Sequence, residues 1–165
     1  MRQHGVTLIQ MMFALALGTL LTQVGIPSYM NISRELQHTA AARDFAQALR
    51  SARNHSLLHN QPVLLQPLQD DWGVGWRMVR ERDQQMLRKK RHSRPLQTTG
   101  TFPRGQGVRF NAMGVPVQAA GGLRGATLII CPYAKGGTWH QVVLSPSGRV
   151  RLLQEVPKGT SCAGV

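Results

Sequence analysis

The chain has 165 residues, 42% of them hydrophobic, with 17 glycines and a formal charge of +13 from 20 Lys and Arg against 7 Asp and Glu. That length suits one packed, turn-rich domain rather than several. Its two cysteines fit no zinc or redox spacing, its six histidines are scattered, Asp70-Asp71 has no histidine partner nearby in sequence, and no nucleophile motif appears. No enzyme, metal site or cofactor is therefore expected. From Gly73 onward 15 basic residues face only Glu81, Asp83 and Glu155. Such a surface attracts polyanions, whether nucleic acid, anionic lipid head groups or acidic glycans.

The amino terminus, MRQHGVTLIQMMFALALGTLLTQVGIP, is a very short basic leader, a glycine, then an apolar run. Between Val6 and Ile26 no residue is charged, and Thr7, Gln10, Thr19, Thr22 and Gln23 are the only polar side chains. A helix over that stretch rises ~32 Å, enough to cross a ~30 Å hydrocarbon core. A secretory signal has a shorter apolar region with its small-residue cut site after it. Here Gly5 comes first, so a cut there keeps the apolar run in the mature chain.

That order, with Arg2, Gly5, Thr7-Leu8-Ile9 and the exit Ile26-Pro27-Ser28-Tyr29, resembles the prepilin leader of type IV pilins and type II secretion pseudopilins. The resemblance implies a prepilin peptidase cutting between Gly5 and Val6, and methylation of the new terminus at Val6. It also implies a single pass through the inner membrane, a periplasmic domain, and assembly with other major and minor pilins into a pilus at the cell surface. The divisions that follow are a leader over 1–5, a transmembrane and filament-core helix over 6–27, and an exported domain over 28–165. Two residues depart from the family pattern. Val6 stands where phenylalanine is usual, and Gln10 stands where a glutamate normally neutralises a neighbour's amino terminus. A neutral amide is less costly to bury in lipid than a carboxylate, yet it cannot supply that ion pair.

Beyond Pro27, Ala41, Phe45, Ala48, Leu49, Ala52 and Ser56 recur at three- and four-residue steps, one small apolar stripe on a helix. Arg43, Gln47, Arg50 and Asn54 follow the opposite face. Pro27 should kink the helix and Pro62 should end it, giving a spine from Thr7 to His59. The strands expected next are Val63 to Leu68, Gly75 to Glu81, Gln85 to Lys89, Val108 to Asn111, Ala126 to Ile130, Gln141 to Leu144 and Arg149 to Leu153. Ser93 to Gly107 and Gly114 to Gly125 read as loops. The fold class is α+β, a long helix packed on an antiparallel β domain of two small sheets. In an exported domain Cys131 and Cys162 are expected to pair, closing a ~32-residue loop worth roughly 3 to 4 kcal/mol. The alternative is two free thiols.

The second half narrows the likeness. Ala42-Arg43-Asp44-Phe45, Leu49-Arg50-Ser51-Ala52-Arg53, Asn60-Gln61-Pro62-Val63, Trp72-Gly73-Val74-Gly75-Trp76, Phe110-Asn111-Ala112-Met113-Gly114 and Val143 to Arg151 together resemble the GspH/FimT family. Within the final hairpin, proline and glycine in Ser145-Pro146-Ser147-Gly148 mark a turn. Alternation along the next strand puts Arg149 and Arg151 on one face, ~7 Å apart, beside a glycine open to a ligand. Paired guanidiniums suit phosphate contacts. The Gly148-Arg149-x-Arg151 pattern also resembles the DNA-binding motif of FimT-type minor pilins, which serve in natural transformation. Arginines alternating on the solvated face of an edge strand remain the other reading. Arg88, Lys89, Lys90 and Arg91, extended by Arg94, form a second cationic run that suits DNA, anionic lipid or a solvated hairpin tip. Trp72 and Trp76 are expected in the core rather than as base-stacking platforms. The function expected is a minor pilin that binds DNA without reading sequence, in a salt-sensitive way. The alternatives are a structural minor pilin or GspH-type pseudopilin without DNA contact, and an adhesin for anionic surfaces.

Overall fold

A computed structural model of the chain describes residues 8–103, 105, 107–117, 125–133, 136–155 and 162, with side chains described except at 24–28 and 31. Gly5 and Val6, the expected processing site, lie outside the described residues. One helix, α1, runs from Leu8 to His59. It continues through residue 27, so the proline there does not end it. Its exit is capped in a left-handed turn. Asn60 sits at φ 48°, and the Gln61 N–H donates to the Ser56 carbonyl at 3.2 Å just before Pro62.

The apolar stripe does what its spacing implies. Ala41, Phe45, Ala48, Leu49, Ala52 and Ser56 are all buried, joined by Ala42 and Ala46. With so many methyl-sized side chains on that face, two sheets can approach the helix closely. The earlier turns differ. Leu8, Ile9, Phe13, Leu15, Leu20 and Leu21 are exposed along the projecting part of α1. Among the described residues no helix is long and apolar enough to cross a membrane.

Among the described residues nine strands follow: β1 Val63–Leu68, β2 Asp71–Arg80, β3 Met86–Arg91, β4 Thr98–Gly100, β5 Val108–Phe110, β6 Pro116–Val117, β7 Ala126–Ile130, β8 His140–Leu144 and β9 Val150–Leu153. Every pairing is antiparallel, in a five-stranded sheet of order β3-β2-β1-β5-β6 and a four-stranded sheet of order β4-β7-β8-β9. Core side chains from both sheets meet α1. Phe45, Trp72 and Phe102 pack edge to face at centroid separations of 5.1, 5.3 and 5.8 Å, and Trp76 is also buried. Cys131 and Cys162 form a disulfide across 31 residues.

Several boundaries differ from expectation for local reasons. β2 begins at Asp71, four residues early, because Gln69 and Asp70 both take positive φ and close a tight hairpin. Such a turn usually announces itself with Asn-Gly. β4 and β6 were hidden in segments that read as loops, being three and two residues long. The run from Arg88 to Arg91 lies in paired strand β3 rather than at a hairpin tip. The tip is the stretch 81–85, held by an Arg80–Asp83 ion pair at 3.0 Å.

Candidate nucleic-acid interface

The last hairpin is built by its own backbone. The Gly148 N–H donates to the Ser145 carbonyl at 2.8 Å, the Ser145 N–H donates to the Arg149 carbonyl at 2.9 Å, and Gly148 sits at φ +79°. A type I turn followed by a left-handed residue has this pattern. Beyond it Val150 is buried and Leu152 half-buried against the helix, so Arg149 and Arg151 face the other way, exposed. Among the described residues neither guanidinium has a carboxylate within ion-pair distance.

The opening expected at Gly148 is filled. Gly148 is buried, and a Cβ there would lie 2.9 Å from the Gly114 carbonyl oxygen and 3.1 Å from Arg53 Nε. This glycine therefore serves the meeting of two turns rather than a ligand's approach. Two arginines that sequence reasoning did not connect with the hairpin stand beside it. Arg50 Nη2 donates to the Val150 carbonyl and Arg53 Nη1 to the Gly148 carbonyl, both at 3.3 Å. Among the described residues β9 pairs with β8 alone, so the Val150 carbonyl lies on its free edge with the Gly148 carbonyl just before it, and the helix covers both with cations. The signal was available in Arg50 and Arg53 at i, i+3, but only the register of β9 reveals what they reach.

The other basic run is partly engaged with its own chain. Arg88 lies with its guanidinium carbon 5.5 Å above the Trp76 ring, and Lys90 pairs with Asp44 of α1 at 3.3 Å. Strand alternation turns Lys89 and Arg91 to the other face. There Lys89 stands opposite Arg77, which donates to Gln66 at 3.0 Å. Asp44 and Arg53 are nine residues apart, two and a half helical turns, and so mark opposite sides of α1. The structure thus puts the β3 and β9 cations on separate flanks.

Electrostatics elsewhere are local. The Arg109 Nε–H is shared between both carboxylate oxygens of Glu81, at 2.8 and 2.9 Å, and this hydrogen bonding raises the Arg109 pKa. Burial lowers the pKa of His55, with His59 and Arg80 adding to it. His140 is fully buried, its Nε2 3.2 Å from the Thr39 hydroxyl, and burial again leads the lowering of its pKa. Among the described residues no three His, Cys, Asp or Glu side chains are grouped to hold a metal.

Known proteins share this architecture. Residues 41–148 match the family described as type II transport protein GspH. The fold is similar to that of the type IV minor pilin FimU of Pseudomonas aeruginosa, with a TM-score of 0.60, 20% identity, and coverage of 77% of this chain and 97% of that one. It is also similar to the minor pseudopilin EpsH from the type 2 secretion system of Vibrio cholerae, with a TM-score of 0.55, 16% identity, and coverage of 72% and 97%. No curated protein matches the sequence.

Proposed function

This chain belongs to the GspH family, and from that premise we propose that it is a minor type IV pilin that binds extracellular DNA and supports its uptake in natural transformation. Residues 1–5 are its leader, cut between Gly5 and Val6 by a prepilin peptidase. The apolar start of α1 anchors it in the inner membrane and later enters a filament with other pilins. The exported part, from residue 28 on, presents the basic surface. What supports anchoring or filament burial is the row of exposed apolar side chains from Leu8 to Leu21, which water does not favour.

One observation carries the DNA reading: Arg151 in edge strand β9 and Arg149 just before it are exposed and without a carboxylate partner among the described residues. Removing one cation that touches a phosphate should reduce the slope of log K against log salt by about 0.9. The test is fluorescence anisotropy of unrelated duplexes with the full chain in detergent. Arg149→Ala with Arg151→Ala should flatten that slope by up to about 1.8 and leave thermal unfolding unchanged. An unchanged slope would overturn the assignment.

A structural minor pilin or GspH-type pseudopilin without DNA contact is the second reading. It is favoured by the engagement of Arg50, Arg53, Arg88 and Lys90 with their own chain. Absence of any DNA binding at low salt would select it. Heparin binding as strong as DNA binding would select adhesion to anionic surfaces.

A further inference from the structure

Between α1 and the end of β3 lies a recess of about 160 Å³. Gln37, Ala40, Ala41 and Asp44 form its helical side, and the segment from Lys90 to Arg94 with Leu96 forms the other. The second wall is fixed by the backbone. The His92 N–H donates to the Val74 carbonyl at 3.0 Å and the Leu96 N–H to the Gly73 carbonyl at 2.9 Å, so residues 93–95 bulge between two anchored points. Gly73 permits this closeness, because a Cβ there would collide with the Leu96 carbonyl oxygen.

The chemistry of the lining is one-sided. Lys90 and Arg94 bring two positive charges against the single carboxylate of Asp44, while Arg91 borders the recess with its side chain turned by strand alternation to the other face of β3. Ser93, Gln37 and the His92 ring add neutral hydrogen-bonding groups, while the alanines and Leu96 keep the floor small and apolar. We propose that this recess binds a phosphate monoester group, with Lys90 and Arg94 as its cationic contacts. A monoester carries nearly two negative charges near neutral pH and three strong acceptor oxygens, which matches the two cations, Lys90 and Arg94, and the neutral donors beside them. A diester within a continuous strand carries one charge. It would also have to enter and leave a cleft walled by helix and strand. The recess lies on the opposite flank of α1 from Arg53 and the β9 hairpin, so the proposal does not rest on the reading of Arg149 and Arg151.

Asp44 gives the proposal its sharpest consequence. It holds Lys90 at 3.3 Å and stands where an anion would be attracted. An incoming phosphate must compete with it. His92 reports the same field: its pKa is lowered by burial first and by Lys90 second, with Asp44 opposing. Arg91 and Arg94 complete the charged groups around the recess. An anion seated there favours the imidazolium and raises that pKa.

The experiment is NMR titration of the full chain in detergent with inorganic phosphate, at constant ionic strength set by chloride, following the His92 ring protons. Saturable shifts are expected at His92. Asp44→Asn should tighten binding about threefold or more, and Arg94→Gln should weaken it about tenfold. Sulfate, a dianion throughout the titration, should raise the His92 pKa. Shifts no larger than those with chloride would overturn the proposal, as would an Asp44→Asn variant that binds phosphate more weakly. Two sources of the group are then separable. Displacement by a 5′-phosphorylated oligonucleotide, with its unphosphorylated twin inactive, points to nucleic-acid ends. Displacement by phosphatidate in the micelle points to lipid. Equal displacement by both oligonucleotides would refute monoester selectivity. Arg149→Ala with Arg151→Ala should leave phosphate binding intact, which separates failure here from failure of the DNA reading.

Discussion

Replacing Gly148 with alanine isolates the role of the glycine in the terminal hairpin. At φ +79° an L-residue incurs about 1 to 2 kcal/mol for the left-handed backbone. The added Cβ would also sit 2.9 Å from the Gly114 carbonyl oxygen, a backbone atom that cannot rotate away. Arg53, at 3.1 Å, can swing aside but then gives up its hydrogen bond to the Gly148 carbonyl. Overpacking of this kind adds about 1 to 2 kcal/mol, giving a total of roughly 2 to 4. Gly136→Ala is the natural control. Its φ is +83°, but nothing lies within 4 Å of its Cβ position, so only the backbone contribution applies. In a chain of this size each kcal/mol lowers Tm by about 2 to 4 °C. Thermal unfolding by circular dichroism should therefore show Gly148→Ala falling about twice as far as Gly136→Ala. Equal falls, with DNA binding lost only in Gly148→Ala, would refute this reasoning and return Gly148 to the role of a ligand-facing residue.

Other perturbations test the core, the crosslink and the buried imidazoles. Phe45→Ala empties the centre of the Phe45–Trp72–Phe102 group and should destabilise the fold by about 3 to 5 kcal/mol in denaturant titrations. Opening the Cys131–Cys162 bond with reductant should lower stability by about 3 to 4 kcal/mol, read as a fall in Tm without loss of helix signal. His55, His92 and His140 all have lowered pKa values, with burial as the leading cause in each. The unfolded chain then holds more protons as pH drops below the ordinary value of about 6.5, so stability falls with acidification. Tm should decline between pH 7 and pH 5.5, and His140→Gln should make that decline shallower.

The legible parts of the fold were those governed by period. The stripe from Ala41 to Ser56 and the β1 and β7 boundaries follow from spacing alone, because burial enforces it. What escaped was set by pairing at a distance. β4 exists because Thr98 to Gly100 meet Leu128 to Ile130 of β7, and no local pattern in three residues announces that. The early start of β2 depends on two residues, Gln69 and Asp70, that tolerate left-handed backbone only because the strands hold them there. At the candidate interface, alternation was enough to put Arg149 and Arg151 on one exposed face. The environment of Gly148 was not legible, since Gly114 and Arg53 reach it from 34 and 95 residues away.

The positive charge has two competing explanations, and its sign helps to weigh them. Both basic segments occupy edge strands, β3 in one sheet and β9 in the other. Charged edges prevent sheets from pairing with other chains, which is reason enough for some of these residues. Arg50 and Arg53 fit that role directly, since they cover the Val150 carbonyl on the free edge of β9 and the Gly148 carbonyl just before it. Edge protection, however, works with either sign. Mixed charges would serve it and would spare the chain the self-repulsion of a net +13. Instead a like-charged pair, Arg77 and Lys89, stands directly across β2 and β3, an arrangement that destabilises a sheet. Among the described residues Asp83, Asp44 and Glu81 are engaged in ion pairs with Arg80, Lys90 and Arg109. Cations maintained at a cost in stability, on edges that any charge would protect, argue for an anionic partner outside the chain.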